Sequence, residues 1–265
     1  MSVKLGFIGN GNMGYAILKG LLQSQTLKAC ETGVFDPLES VRDRAAGLGS
    51  LIYDSEEALS HDSEIILVAV KPQYVKPVWE KLGKTAAGKL VISIVAGYST
   101  AAIKEELGRE DIRVLRVMPN TPAMVGAGVF GLNADTDALP VEKELAEKWF
   151  KALGLTQWIP EHLFSLITGL SGGGPAYVAM FVEALADAGV KHGLTRASAI
   201  QIAAWTVYGS AKLLLDEGMH PAILKDNVCS PAGTTIEGVQ SLEEDGFRAA
   251  VIHAVDKSKN KADRL

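Results

Sequence analysis

The chain enters a strand-like run, Val3-Lys4-Leu5-Gly6-Phe7-Ile8, and passes at once into Gly9-Asn10-Gly11-Asn12-Met13-Gly14. A helical pattern, Tyr15-Ala16-Ile17-Leu18-Lys19-Gly20-Leu21-Leu22, follows. Strand, glycine turn and helix in that order form the arrangement that binds a dinucleotide pyrophosphate. Gly9 permits the tight turn, Gly11 lets a phosphate approach the backbone, and Gly14 lets the helix lie close to the strand. The free N–H groups at the helix start, with the positive end of its dipole, then hold the anion. A purely structural glycine turn is the alternative.

The first half continues to alternate short apolar runs with helical ones. Gly33-Val34-Phe35 closes at Asp36-Pro37, and Pro37 suits the first position of a charged helix from Leu38 to Leu48. Leu51-Ile52-Tyr53 is a weak third strand. Glu64 to Val70, Leu90 to Val95 and Val114 to Met118 are stronger; they end at Lys71-Pro72, Ala96-Gly97 and Pro119-Asn120-Thr121-Pro122. Gly126 to Leu132 and Gln157 to Pro160 read as two more. Continuous apolar strands between helices predict a parallel sheet covered on both faces. Ligands bind such sheets beyond the carboxyl ends of the strands, so each of these ends is a candidate site lining.

After Glu161 the pattern turns helical: Ala176 to Ala188, Arg196 to Leu215, Ala222 to Asn227, Ile236 to Glu244 and Phe247 to Lys261. The expected architecture is an α/β Rossmann-type N-terminal domain, residues 1–160, with an all-α C-terminal domain, residues 161–265. Ala199-Ile200-Gln201-Ile202-Ala203-Ala204-Trp205 is apolar around most of its circumference and needs partners on more than one side. We read this as helices of two copies interleaving in a homodimer. A free-standing bundle is the alternative.

An apolar fraction of 48% over 265 residues supports a substantial core. The net charge of -5 argues against a nucleic-acid-binding surface, and any bound anion must be held by local groups. Cys30 and Cys229 show no metal-like spacing and read as free thiols in a reducing compartment. No signal or transit segment is expected ahead of the first strand, and no unbroken apolar stretch reads as long enough for a bilayer. The expectation is a cytoplasmic protein without nucleic-acid or membrane partners.

Asp36 ends the second strand, about twenty residues past the glycines, where an acid binds the adenosine ribose 2′-OH. That leans toward NADH, because a 2′-phosphate would face the carboxylate. Arg42 and Arg44 lie near enough in sequence to serve such a phosphate instead, and Asp36 also suits a helix cap. Lys71 follows a buried strand at the cofactor edge. The Asn120 amide suits a nicotinamide carboxamide, a ribose or a turn cap. In the helical half, Gly169 to Tyr177 is a glycine loop that opens a helix with a first-turn proline. A second loop runs through Ser230-Pro231-Ala232-Gly233-Thr234-Thr235, and Thr234 with Glu237 has capping-box spacing. The N–H groups of Gly233, Thr234 and Thr235 then cluster at a helix start, which binds a carboxylate without any cationic side chain. A plain helix cap is again the alternative.

These segments resemble the Δ1-pyrroline-5-carboxylate reductase family over nearly the whole length. The likeness runs through Phe7 to Gly14, Ala69 to Gln73, Met118 to Pro122, Gly169 to Tyr177, Leu185 to Lys191, and Leu224 to Thr235. The resemblance implies hydride transfer from NADPH or NADH to the C=N carbon of pyrroline-5-carboxylate, giving L-proline. It implies a helical dimerisation domain that swaps between copies, in dimers that often assemble further, commonly to decamers. Carried to this chain, Gly9, Asn10, Gly11, Asn12, Met13 and Gly14 hold the pyrophosphate. Ala69, Val70, Lys71, Pro72, Ala96, Gly97 and Asn120 surround the cofactor. The loop from Ser230 takes the substrate: Gly233 and Thr234 hold its carboxylate, and the Thr235 hydroxyl meets the ring nitrogen as the one catalytic side chain. Gly173 stands where the family often has serine, Ala232 where it usually has glycine, and Glu56 where relatives often have asparagine. The last helix is short and lysine-rich after Asp256.

Two rival functions share parts of this pattern. A β-hydroxyacid dehydrogenase places a lysine on the helix after its glycine-rich loop, and the residues from Pro175 to Phe181 include none. A nucleotide sensor without turnover has no need of a second anion site. Imine reduction asks little of side chains, because a protonated C=N is already electrophilic and the hydride comes from the cofactor.

Overall fold

Side chains alternate along Val3–Ile8 (β1), and each face meets its own core. Leu5 and Phe7 join one cluster, with Ile65 and Leu67 from Ser63–Val68 (β4). Ile8 joins the other, with Ile66 and Val68. A strand buried on both faces has to be apolar, and apart from the exposed Lys4 the sequence of β1 is. Thr32–Phe35 (β2), Leu51–Ile52 (β3), Leu90–Ser93 (β5), Arg113–Met118 (β6), Gly128–Asn133 (β7) and Gly154–Ile159 (β8) complete a sheet of order β3-β2-β1-β4-β5-β6-β7-β8. These features come from a computed structural model, which describes residues 3–264.

Asn12–Gln23 (α1) and Pro140–Lys151 (α6) cover the first face through Ile17, Leu18, Leu21, Trp149 and Phe150. On the second face, Glu56–Asp62 (α3), Lys76–Thr85 (α4) and Thr100–Leu107 (α5) bring Leu59, Trp79, Leu82 and Ile103. Glu39–Ala46 (α2) follows β2; its N-cap is Leu38, so Pro37 lies ahead of the helix rather than at its first position.

The sheet is not wholly parallel. β6 and β7 pair antiparallel, Val117 opposite Leu132 and Met118 opposite Gly131. The connection 119–127 is too short for the crossover that a parallel pair requires. β7 and β8 are parallel again, with α6 between them.

Helix begins again with Phe164–Ile167 (α7) and continues through a wider turn, Thr168–Gly172. Gly174–Lys191 (α8), Arg196–Glu217 (α9), Pro221–Val228 (α10), Thr234–Glu244 (α11) and Phe247–Ala262 (α12) complete the chain. The predicted glycine loop at 169–174 is thus helical. That joins Glu161–Lys191 into a 31-residue run with a mean hydropathy of 1.2 in its most apolar 18-residue window. Sequence breaks at the glycines hide this run, which has the length and composition to cross a bilayer.

The chain divides into two compact units, one reaching Gly173 and including the stretch from Lys257, the other Gly174–Asp256. The first extends past residue 160 because buried Phe164 carries the Arg116 guanidinium 4.7 Å above its ring. In the second, α8 packs on α9 through Ala186, Ala199 and Ala203. Phe181 meets Phe247 of α12 with ring centroids 5.9 Å apart.

Candidate active site

The glycine turn has the geometry its sequence requires. Gly9 sits at φ +83°, and its N–H donates to the Phe35 carbonyl at 2.8 Å. A side chain at Gly14 would place its Cβ 2.7 Å from the Gly9 carbonyl oxygen. A Cβ at Gly11 would meet nothing within 4 Å, so the space over the turn is open. Gly11 caps α1 without a side-chain bond, and the N–H groups of Asn12, Met13 and Gly14 find no acceptor among the described residues. Asn10 is wholly buried, and both polar atoms of its side chain lack a partner. Open donors at the start of a 12-residue helix, above a turn without side chains, fit a dinucleotide pyrophosphate.

Asp36 is 7% exposed. Its Oδ2 accepts the Asn10 N–H at 2.9 Å and its Oδ1 accepts the Leu38 N–H at 3.0 Å. The carboxylate therefore ties the glycine turn to the end of β2. Arg42 Nη1 donates to the Asp36 carbonyl at 2.7 Å, and Arg44 Nη2 to the Asn10 carbonyl at 2.9 Å. Glu56, at the start of α3, accepts from Lys81 Nζ at 3.0 Å.

Ala69, Val70, Lys71 and Pro72 follow β4, with Val70 half-buried and Lys71 exposed. Ala96 and Gly97 follow β5, Gly97 at φ +83°. These residues and the glycine turn all lie past the carboxyl ends of adjacent strands, β1, β4 and β5. The Asn120 amide is engaged within the fold: Oδ1 accepts the Val129 N–H at 2.8 Å and Nδ2 donates to the Ser171 carbonyl at 3.1 Å. It fixes the end of β6 against β7 and the wide turn.

A polar knot absent from the sequence reading holds the Gly97 segment. Glu161 Oε1 accepts the Thr100 N–H at 2.7 Å and the Arg116 guanidinium at 2.5 Å. Asn133 Nδ2 donates to Thr100 Oγ1 at 2.9 Å and to Glu161 Oε2 at 3.2 Å. Burial pushes the Glu161 carboxyl up, but the Thr100 N–H and the Arg116 charge outweigh it and hold the group below its ordinary value. One signal pointed here: Arg116 is a charge inside an apolar strand, and a buried charge requires a partner.

In the helical unit, Ser230 to Thr235 leads into α11. The helix starts one residue earlier than the Thr234–Glu237 spacing predicts. Gly233 is its N-cap, no side chain caps it, and the capping box does not form. The Gly233 N–H donates to the Ser230 carbonyl at 3.0 Å and so is not free. The N–H groups of Thr234 and Thr235 lack acceptors among the described residues, and so do both hydroxyls. Ala232 holds φ +54°, a left-handed conformation that costs an L-residue about 1–2 kcal/mol. The Ser230, Thr234 and Thr235 side chains are exposed.

A dinucleotide cradle at the carboxyl edge of a Rossmann-type sheet, followed by helices with bare apolar faces, defines a nicotinamide-dependent oxidoreductase that works as an oligomer. A family model described as "NADP oxidoreductase coenzyme F420-dependent" matches residues 4–97. One described as "Pyrroline-5-carboxylate reductase dimerisation" matches residues 161–265, which include the long apolar run. The pyrroline-5-carboxylate reductase of Escherichia coli is 42% identical, over 100% of this chain and 99% of its own. The Coxiella burnetii pyrroline-5-carboxylate reductase structure superposes with a TM-score of 0.91 at 32% identity, covering 100% of this chain and 98% of that one. The Plasmodium falciparum enzyme, solved with NADP bound, gives 0.89 at 32% identity, covering 99% and 97%. The chain belongs to the pyrroline-5-carboxylate reductase family.

Proposed function

We propose that this chain reduces the C=N bond of Δ1-pyrroline-5-carboxylate to give L-proline, the last step of proline biosynthesis. The observation that carries this is the pair of unsatisfied N–H groups at Thr234 and Thr235, in a chain aligned with this family from end to end. The two donors bind the substrate carboxylate with the help of the α11 dipole. The Thr235 hydroxyl orients the ring nitrogen, and water completes proton delivery. Gly9 to Gly14, Ala69 to Pro72, Ala96 and Gly97 hold the cofactor, whose reduced nicotinamide supplies the hydride when bound. Asp36 and Asn120 act from beneath, bracing the turns that carry those residues. Gly233 supplies the flexible cap, and Ser230 anchors it.

No general acid is required of the protein, which binds and orients the reactants. The apolar helical faces pair in a dimer, and dimers gather into a decamer. Both cysteines are free, which suits the reducing cytoplasm where we place the enzyme. The test follows loss of the reduced-nicotinamide absorbance on adding pyrroline-5-carboxylate, with proline measured in parallel. We expect one proline per cofactor oxidised; no consumption of either NADPH or NADH would end this reading. Thr235→Ala lowers kcat/KM by about 1–3 kcal/mol of transition-state binding. Unaltered kinetics in that variant would remove Thr235 from the chemistry.

A further inference from the structure

The turn that carries Ala96 and Gly97 is held from outside itself. Val95 before it packs in the core, but no main-chain N–H or carbonyl of residues 96–98 finds a partner among the described residues. The turn borders an open cavity of about 320 Å3, whose lining includes Ala96, Gly97, Ser99, Arg116 and Glu161. Two contacts stand in for packing there. The Tyr98 ring meets the buried Trp79 edge-on, with centroids 6.4 Å apart. Three residues past Gly97, the Thr100 N–H donates to Glu161 Oε1 at 2.7 Å. Glu161 is itself immobilised. Its N–H donates to Asp135 Oδ2 at 2.8 Å, and its Oε2 accepts from Asn133 Nδ2 at 3.2 Å. Arg116 Nη1 meets Glu161 Oε1 at 2.5 Å, and the Arg116 side chain is only 12% exposed. A chain of bonds thus runs from the end of β7 through Glu161 to the first turn of α5.

We infer that Glu161 is a positioning residue for hydride transfer: through Thr100 it sets where the Ala96–Gly97 turn stands, and so how closely the nicotinamide approaches the imine carbon. Arg116 acts through Glu161 alone. This rests on the proposed cofactor site and adds to it a residue that works through another. A carboxylate suits the task, because its bond to an N–H at a helix start is charge-assisted and the helix dipole favours it. The reaction is sensitive to such a device, since a misplacement of about 1 Å costs about 100-fold in rate.

The test compares wild type with Glu161→Ala, Glu161→Gln and a double variant, Arg116→Met with Glu161→Ala. One readout is the single-turnover rate of hydride transfer at saturating cofactor and imine. The other is the pair of dissociation constants for NADPH and for 2′,5′-ADP, which lacks the nicotinamide. Glu161→Ala slows hydride transfer by about 10- to 100-fold. It weakens NADPH by about 2- to 10-fold, while 2′,5′-ADP, bound at a distant edge, stays within about twofold of wild type. Glu161→Gln keeps an acceptor for Thr100 and falls between. The double variant removes the buried charge that Glu161→Ala strands, so it regains resistance to urea but not the rate. Recovery of the rate in the double variant would show a stranded charge and not a lost position, and would overturn the inference. Equal losses for NADPH and 2′,5′-ADP, or unaltered rate and binding in Glu161→Ala, would overturn it too. Absence of turnover in wild type sinks the proposed function, while the ratio of the two affinities still judges Glu161.

Discussion

The two units solve the problem of burial in opposite ways. In the sheet unit, two clusters of large side chains close on either face, and Trp79, Trp149, Phe7 and Phe130 are essentially inaccessible. In the helical unit the buried apolar side chains are three alanines, while Met180, Ile202, Trp205, Tyr208, Leu215 and Ile252 stand exposed. One unit carries a complete core within a single chain. The other carries half of one, and the dimerisation match explains who supplies the rest. Stability of the first is a property of the fold; stability of the second depends on protein concentration.

The sharpest way to break this contrast is a pair of tryptophans. Trp149→Ala, at 1% exposure, should cost about 3–5 kcal/mol, and the loss in denaturant midpoint should be the same at every protein concentration. Trp205 is 64% exposed in the single chain. Trp205→Asp should cost association about 2–4 kcal/mol, seen by light scattering as a lower mass that recovers on concentrating the protein. If Trp205→Asp leaves the mass unchanged, the helical unit does not complete its core through that face.

Glu161 tests the sheet unit's polar knot at a smaller scale. Losing its charge-assisted bonds in Glu161→Gln should cost about 1.5–3 kcal/mol near neutral pH. Its folded-state carboxyl titrates below the ordinary value of 4.5. The contribution is therefore complete above about pH 4.5 and disappears as pH falls through the lower folded value. Urea midpoints in that window should drop more steeply with acid for wild type than for Glu161→Gln. Parallel slopes would show that the carboxylate contributes nothing by its charge.

The smallest effect compares one backbone feature in both units. Ala232 and Gln25 hold positive φ, +54° and +57°. Glycine relieves the strain but adds freedom to the unfolded chain, so Ala232→Gly and Gln25→Gly should each stabilise by about 0.5–1 kcal/mol, read as a higher Tm. Only Ala232→Gly should also alter KM for the imine acid, since only it borders the Thr234 and Thr235 donors.

The sequence made some of this plain for physical reasons. Apolar runs punctuated by glycine and proline located every strand to within a few residues, because buried strands have no polar alternative. Gly9 and Gly14 revealed their roles because no other side chain fits there, and Gly11 because it leaves the space over the turn open. The direction of β7 was hidden, since an apolar run reads the same whether parallel or antiparallel. Asp36 and Asn120 were recognised as site residues, but spacing does not tell a side chain that meets a ligand from one that braces the turn beneath it. Thr234 and Glu237 have the right separation for a cap that a helix starting one residue earlier never forms. Glu161 went unnoticed because its partners Thr100, Asn133 and Arg116 are far away in sequence.

The most direct test of the account is isotopic. NADPH carrying deuterium at the transferable position of nicotinamide C4 is incubated with the enzyme and pyrroline-5-carboxylate, and the proline is analysed by mass spectrometry and NMR. The account predicts one deuterium on the ring carbon beside nitrogen, delivered straight from the cofactor to the imine. Proline without the label, or no proline at all from well-folded oligomeric enzyme, would contradict it.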